Sequence, residues 1–259
     1  MKSKEEIEQY ANQLCPNNEH QLKRFVKHSV INAREKDLDE IRNKQVLYVS
    51  NHRSHFDYLQ QCYNIWSLNL PWPSTLARAN VFIPYFGKVW ENCGAIKIPF
   101  NAKGGRELKY LKKIIRHTVK EGKSILDYAP SGRDYGDIYK LFDRGAVDFT
   151  LQAARELDLE VMLMPMYINY SNSQALEHPF FPTLNRVKGK HRNIPYVVAD
   201  LAAFVSALFY PKQLVFHAFG EPFSLIECKT GKEAAQKAYE SVMQLHKKFS
   251  DKISNWPGR

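Results

Sequence analysis

The 259-residue chain is 44% hydrophobic and carries a formal net charge of +10 at pH 7. A chain of this length and composition can bury a large core, which excludes a disordered or fibrous protein. Residues 1–6 are charged and lack the apolar segment of a signal peptide, and no apolar run reaches the roughly 20 residues of a membrane-spanning helix. We therefore expect a cytoplasmic protein, either free or bound peripherally to the cytoplasmic face of a membrane.

The first 44 residues are polar, with helical spacing and charges of both signs. They predict two helices that break near residues 15–18, where a proline and two asparagines follow a cysteine. From residue 46 onward, short apolar runs alternate with helical segments. This change divides the chain into an N-terminal helical segment, 1–44, and an α/β domain, 45–259.

Five short apolar runs predict strands, and several are apolar on both faces, as a buried sheet requires. The predicted strands are residues 46–50, 95–98, 124–128, 161–168 and 214–219. Helical spacing of apolar residues predicts helices at 107–119, 146–157 and 232–249. The alternation predicts an α/β fold with a mixed, largely buried central sheet flanked by helices. A long loop at 171–192 is predicted to be a lid or a contact loop.

The segment Asn-His-Arg-Ser-His-Phe-Asp, residues 51–57, stands where a predicted strand gives way to a helix. His52 and Asp57 would point in divergent directions within one regular helix, so they can meet only if His52 precedes the helix. Ser54 is a good N-cap residue, which would start the helix there and place Asp57 at the third helical position. The spacing then supplies a general base with its own orienting acid.

The same spacing also has a purely structural explanation. Ser54 and Asp57 form a variant of the capping box, in which Asp57 pairs with backbone N–H groups and the helix dipole. His52 would then be an ordinary half-buried histidine. On spacing alone the structural explanation is the favoured one, because such Ser-x-x-Asp pairs are common.

A second group of polar residues, Ala-Pro-Ser-Gly-Arg-Asp at 129–134, follows the predicted strand 124–128. Ser131 and Gly132 would let the backbone approach a ligand, and the guanidinium of Arg133 matches phosphate oxygens. Ligands gather at the carboxyl ends of strands in open α/β sheets. The alternative is a surface turn in which Arg133 pairs with a neighbouring aspartate, and this segment alone favours neither.

The positive charge is concentrated between residues 86 and 125. This segment contains ten lysines and arginines and three glutamates, which gives it a net charge of +7. Such a segment predicts a polyanionic partner: nucleic acid, anionic lipid or a phosphorylated small molecule. A solvated helix face is the simpler explanation for the lysines at 109–120. It fits Lys97, Lys103 and Arg106 less well.

Three other kinds of site fit the sequence poorly. A metal site built on His52, His55 and Asp57 lacks a second histidine group. A Cys–His nucleophile would need Cys62 or Cys93, and neither follows a strand-to-helix elbow. A nucleic-acid-binding protein would carry a recognition-fold signature, which the chain lacks. With no Cys-x-x-Cys pair among four cysteines, we expect reduced thiols and neither a zinc ribbon nor a disulfide framework.

Taken together, these segments resemble the sequence blocks of the glycerolipid acyltransferase superfamily, and those of glycerol-3-phosphate acyltransferases most closely. Residues 51–59 resemble the first block, a His-x4-Asp motif, and residues 93–98 resemble the second. Residues 129–134 are similar to the third block in its plastid-type form, and residues 164–168 to the fourth. Residues 219–223 resemble a late segment that is frequent in these enzymes. Four blocks in order make the resemblance specific.

Two departures from the family pattern concern phosphate binding. Second blocks of the bacterial type usually end in an arginine, but residues 99–100 hold none. The nearest cations are Lys97, Lys103 and Arg106. The third block has Ser131 where many members carry glycine, and it has one glycine fewer than the plastid form.

The resemblance implies an enzyme of phospholipid biosynthesis that moves a fatty acyl group from acyl-CoA or acyl carrier protein to a hydroxyl of glycerol 3-phosphate. In that role His52 takes the hydroxyl proton, and Asp57 orients the imidazole. No metal and no redox cofactor is implied. The basic segment would bind the phosphates of coenzyme A, an acidic carrier protein or an anionic membrane, and nucleic acid is not an expected partner.

The resemblance also implies a set of substrate-binding residues around the acceptor's phosphate. They are Arg133, Ser131, Gly132, Asp134, Lys97, Lys103, Arg106 and Ser54. Two alternatives stay open. One is an acyltransferase that acts on lysophosphatidate, another lysophospholipid or a different hydroxyl or amino acceptor. The other is a non-catalytic, basic protein that binds lipid surfaces.

Overall fold

A mixed sheet of eight strands, with helices on both faces, forms the centre of the protein. The computed structural model describes residues 2–54, 57–78, 82, 86–98, 105–130, 141–171 and 213–254. The predicted α/β fold with a largely buried mixed sheet is confirmed. The predicted loop 171–192 lies outside the described residues, apart from Ser171.

Helices and strands alternate along most of the chain. The helices are α1 (Lys4–Phe25), α2 (Glu35–Ile41), α3 (Asp57–Ser67), α4 (Phe86–Asn92), α5 (Gly105–Lys120), α6 (Gly145–Leu157) and α7 (Gly231–Ser254), with a 3₁₀ turn at Leu225–Glu227. The strands are β1 (Val26–Asn32), β2 (Gln45–Ser50), β3 (Pro73–Arg78), β4 (Ile96–Ile98), β5 (Ser124–Tyr128), β6 (Val161–Tyr170), β7 (Gln213–Phe219) and β8 (Phe223–Ser224). The five predicted strands and three predicted helices are confirmed, with ends that shift by at most two residues except at the end of α7.

The strand order is β1-β7-β6-β2-β5-β3-β4, and β8 pairs with β6. The five strands β6, β2, β5, β3 and β4 run parallel to one another, whereas β7 runs antiparallel to β6. The carboxyl ends of the five parallel strands therefore share one edge of the sheet, which we call the carboxyl edge. In the centre, β2 is buried on both faces, which explains its continuous apolar run.

The two faces of the sheet carry separate hydrophobic cores. On one face, residues of α5, α6 and α7 cover Leu47, Val49 and Ile125. On the other, residues of α2 and α3 cover Tyr48 and Leu126. The strand alternation that sends neighbouring residues to opposite faces thus decides which helix each side chain meets. None of the helices in the described ranges combines the length and the apolar character that crossing a bilayer requires.

The N-terminal region differs from the prediction in two ways. The predicted break near residues 15–18 is wrong, because α1 continues through Pro16 to Phe25. Residues Ile7, Ala11 and Cys15 recur every fourth position and are buried in a cluster with Trp72. This tertiary packing stabilises the helix around the proline and overrides its local preference to break it.

The second difference is that the N-terminal segment is not purely helical. Strand β1 pairs in parallel with β7 and lies at the edge of the sheet. An edge strand can be polar, and Lys-His-Ser at 27–29 hides the apolar pattern that would have predicted it. Strand β3 was also missed, because it begins at Pro73 and contains few apolar residues.

The side chain of Asn51 links the end of β2 to β6 by hydrogen bonds. Asn51 follows β2 directly and is fully buried. Its Oδ1 accepts the N–H of Ile168 at 2.9 Å, and its Nδ2 donates to the Ile168 carbonyl oxygen, also at 2.9 Å. The amide thus satisfies both backbone groups of a residue inside β6, beside the point where the candidate site begins.

We predict that Asn51→Ala lowers the free energy of unfolding by about 2–5 kcal/mol, because it leaves two buried backbone groups without their partner. Denaturant unfolding measures this loss. Asn12→Ala is the matched control, since Asn12 is exposed and accepts a hydrogen bond from the Trp66 indole. It should cost no more than about 0.5 kcal/mol. Equal losses for the two variants would contradict the structural role of Asn51.

Candidate active site

His52 lies at the carboxyl edge, two residues beyond the end of the central strand β2. Its side chain is 20% exposed, and its Nδ1 lies 2.8 Å from Oδ2 of Asp57, which is fully buried. Asp57 stands at the start of α3, so the histidine precedes the helix as the spacing predicts. The predicted start of the helix at Ser54 stays a prediction, because residues 55 and 56 lie outside the described ranges.

The Asp57 carboxylate accepts hydrogen bonds on both oxygens. Besides His52, Oδ2 accepts the backbone N–H groups of Arg53 at 2.5 Å and Ser54 at 2.9 Å. Oδ1 accepts the hydroxyl of Tyr170 at 2.7 Å. An ionised carboxylate can accept all four of these hydrogen bonds, because both of its oxygens are acceptors. The proton of the neutral His52 ring therefore sits on Nδ1, and the lone pair of Nε2 is the basic one.

The structural and the chemical explanations of the spacing are compatible with one geometry. The bond from the Ser54 N–H to the Asp57 carboxylate is the back-reaching half of a capping box. The same oxygen that completes this cap also meets His52. Capping the helix therefore fixes the carboxylate in the place where it orients the imidazole.

The aromatic ring of Tyr128 lies beside the His52 imidazole. It is the last residue of β5 and pairs with Ser50 at the end of β2. Its ring centroid lies 4.6 Å from that of His52, with the rings inclined at 32°. Burial raises the pKa of the Tyr128 hydroxyl well above its ordinary value, and the charge of Asp57 adds to this, so the phenol stays protonated. Its buried hydroxyl has no hydrogen-bond partner in the part of the chain that the structure describes.

The face of α3 that meets the sheet is largely polar. Besides Ile65, its buried residues are Asp57, Gln60, Gln61 and Asn64. Their partners from the sheet are Tyr170, Ser29, Ser50 and His217, in the same order. The distances run from 2.6 to 3.2 Å. These directional hydrogen bonds help to hold the start of α3 in place against the sheet.

His217 takes part in these hydrogen bonds between α3 and the sheet as a neutral group. It is fully buried, and burial lowers its pKa to about 3. At physiological pH its Nδ1 therefore accepts the amide N–H of Asn64, at 2.9 Å. The ring stabilises α3 by hydrogen bonding and does not neutralise the Asp57 carboxylate.

The predicted substrate-binding residues are only partly described. Lys97 in β4 is exposed, and its Nζ lies 5.7 Å from the ring centroid of Phe82. Three strand spacings, roughly 14 Å, separate β4 from β2. Arg106 is exposed in the first turn of α5, and Ser54 is fully buried beside Asp57. Lys103, Ser131, Gly132, Arg133 and Asp134 lie outside the described residues, so the phosphate-binding set stays a prediction.

Cys62 and Cys93, the two cysteines that a Cys–His nucleophile would need, are poor nucleophiles. Burial raises the pKa of the Cys62 thiol far above its usual range, and it raises the pKa of the Cys93 thiol to about 12. Both therefore remain protonated thiols at neutral pH. All four cysteines are free in the structure. Among the described residues, no three His, Cys, Asp or Glu side chains form a metal-binding group.

Comparison with known proteins identifies the family. The family model described as Acyltransferase matches residues 27–169, more than half of the chain. A glycerol-3-phosphate acyltransferase of Xanthomonas axonopodis is 30% identical over 183 residues, which are 70% of this chain and 20% of the relative. A glycerol-3-phosphate acyltransferase of Xylella fastidiosa is 30% identical over 128 residues, 49% of this chain and 15% of the relative. The chain thus spans a fifth or less of these two curated relatives.

A solved structure shares the fold. The crystal structure of the 1-acyl-sn-glycerophosphate (LPA) acyltransferase PlsC from Thermotoga maritima superposes with a TM-score of 0.58 at 14% sequence identity. The match covers 98% of this chain and 80% of that one. The matched family segment contains β2 to β5, all but one residue of β1 and of β6, and both His52 and Asp57. The chain therefore belongs to the acyltransferase family, within the glycerolipid acyltransferase superfamily.

Proposed function

We propose that the protein transfers a fatty acyl group from an acyl thioester to a hydroxyl of glycerol 3-phosphate. His52 acts as the general base, and Asp57 orients it. The observation that carries the proposal is the 2.8 Å contact between His52 Nδ1 and Asp57 Oδ2. Because Nδ1 of the partly exposed imidazole is hydrogen-bonded to a buried carboxylate, Nε2 is the nitrogen that is available to act as the base.

In this mechanism Nε2 of His52 takes the proton of the acceptor hydroxyl while the hydroxyl oxygen attacks the thioester carbonyl carbon. The tetrahedral intermediate collapses, the C–S bond breaks, and the departing sulfur takes the proton from the imidazolium. Asp57 stabilises the imidazolium that forms between these two steps, as the acid of a catalytic triad does. The products are the acyl ester and the free thiol of coenzyme A or of acyl carrier protein. We propose no metal and no redox cofactor, because each proton and each bond is accounted for.

Glycerol 3-phosphate is the proposed acceptor because the curated relatives bear that name. Arg133, with Ser131, Gly132 and Asp134, and a cation from residues 97–106 would bind its phosphate. In support, Lys97 lies in β4, β5 ends shortly before Ser131, and both strands end at the carboxyl edge, where His52 lies. Lysophosphatidate, another lysophospholipid or a different hydroxyl or amino acceptor is the second candidate, favoured by the fold shared with PlsC.

We also propose peripheral contact with an anionic membrane at the cytoplasmic face. Leu108 and Tyr110 are 38% and 48% exposed in the first turns of α5, among the exposed cations Arg106 and Lys109. Helix α5 connects the parallel strands β4 and β5 and ends just before β5 begins at the opposite edge, so its first turns lie toward the carboxyl edge. Apolar side chains among cations suit an anionic lipid surface, and a lipid product would leave from the same edge.

We predict that His52→Ala lowers kcat by roughly 10²- to 10⁴-fold, the usual contribution of a general base. The assay measures radiolabelled lipid formed from acyl-CoA and glycerol 3-phosphate, and thermal unfolding checks that the variant folds. His117→Ala is the control, because His117 is an exposed histidine on α5. Unchanged turnover in folded His52→Ala would contradict the mechanism.

The acceptor is tested by offering the wild-type protein labelled acyl-CoA with glycerol 3-phosphate or with lysophosphatidate. Product from glycerol 3-phosphate supports the proposal. Product from lysophosphatidate alone would replace it with the second candidate. No product from either acceptor, with acyl-CoA or with acyl carrier protein as the donor, would favour a non-catalytic, basic protein that binds lipid surfaces.

We predict that Arg133→Ala raises KM for glycerol 3-phosphate by roughly 10- to 100-fold, the loss of a charge-assisted hydrogen bond of about 1.5–3 kcal/mol. Steady-state kinetics with each substrate varied in turn measure this change. Lys120→Ala is the control, because it removes one exposed positive charge from the same basic segment. A change confined to the kinetics of the acyl donor would show that Arg133 does not bind the acceptor.

A further inference from the structure

Tyr170, the last residue of β6, contacts the candidate active site from a distant part of the chain. Its hydroxyl donates to Oδ1 of Asp57 at 2.7 Å, and both residues are buried, at 3% and 0% exposure. It is separated from Asp57 by 113 positions in the sequence. The other three donors to the carboxylate, from His52, Arg53 and Ser54, all meet Oδ2.

We propose that Tyr170 is a positioning residue for acyl transfer, which holds the Asp57 carboxylate so that Oδ2 faces His52. This inference rests on the proposed roles of His52 and Asp57. The terminal torsion of an aspartate is broad, so the backbone of α3 does not by itself determine the plane of the carboxylate group. The Tyr170 hydroxyl restricts this plane, because turning the carboxylate away from it would lengthen both the Tyr170 bond and the bond to His52.

Helix position and carboxylate orientation have separate supports. Gln61 and Asn64 bond to Ser50 and His217, and these contacts hold α3 against the sheet without involving Tyr170. Removing only the Tyr170 hydroxyl should therefore leave the helix where it is. The phenyl ring of Tyr170→Phe keeps the apolar packing, and the variant loses the hydrogen bond to Oδ1. The structure thus predicts a defect in catalysis that exceeds the defect in folding.

The strand β6 provides a matched control three residues earlier. Tyr167 is also buried, and its hydroxyl bonds to Nδ1 of His246 at 3.0 Å. It packs on the opposite face of the sheet with Phe216 and Phe249. Tyr167→Phe therefore removes a buried tyrosine hydroxyl from the same strand without touching the His52–Asp57 pair.

The experiment compares the single variants Tyr170→Phe, Tyr167→Phe and Asp57→Asn. It also includes the double variant that combines Asp57→Asn with Tyr170→Phe. We expect Tyr170→Phe to lower kcat on the order of ten-fold, because a misplaced orienting group slows proton transfer. KM for both substrates should stay within about two-fold, since Tyr170 does not bind them. In the Asp57→Asn background the Tyr170 change should cost less than about two-fold, because its effect passes through Asp57. Tyr167→Phe should keep the wild-type kcat.

Three results would overturn the inference. They are an unchanged kcat in Tyr170→Phe, an equal loss in Tyr167→Phe, and a Tyr170 effect of the same size in the Asp57→Asn background. A failure of the proposed function gives a different pattern, because Asp57→Asn would then itself keep the wild-type kcat. Full activity of Tyr170→Phe beside an inactive Asp57→Asn rejects the role of Tyr170 alone.

Discussion

A buried carboxylate needs hydrogen-bond donors, because an anion left without them in a protein interior costs several kcal/mol. Asp57 is fully buried and accepts four donors, two from the backbone before α3, one from His52 and one from Tyr170. These donors come from the end of β2, the loop before α3 and the end of β6. Satisfying one anion therefore requires the sheet, the helix and the loop to be in place together.

The order of strands makes this convergence possible. Strand β2 lies between β5 and β6, and all three are parallel, so their carboxyl ends meet at one edge. The last residue of β5, Tyr128, contacts the His52 ring, and the last residue of β6, Tyr170, contacts Asp57. The polar inner face of α3 then fixes the height of Asp57 above the sheet. The candidate site is thus a product of the topology as well as of one short motif.

The sequence was most informative where function and local structure share the same few residues. The spacing of His52, Ser54 and Asp57 predicted both a helix cap and a contact between the histidine and the aspartate, and the structure contains the bond from the Ser54 N–H and the His52–Asp57 contact. Tyr128 and Tyr170 were missed as parts of the site, since only strand pairing brings them there and neither lies in a motif with chemical meaning of its own. Tyr128 had one usable signal, because it ends a predicted strand directly before the third block.

The elements that local patterns failed to predict have a common cause. The polar edge strand β1 and the proline-led β3 owe their conformation to the strands beside them. The persistence of α1 through Pro16 depends on packing against Trp72. In each case tertiary contacts override a local preference, which no short window of sequence contains.

The central claim is that His52 and Asp57 act as one catalytic unit. Its most direct test is the turnover of the double variant that combines His52→Ala with Asp57→Asn. Its kcat with acyl-CoA and glycerol 3-phosphate is compared with the values for His52→Ala and Asp57→Asn. Residues that act as a unit lose activity non-additively, so the double variant should be no more than about two-fold slower than His52→Ala. A double variant whose loss is the product of the two single losses would contradict the claim, because it would show that Asp57 acts independently of His52.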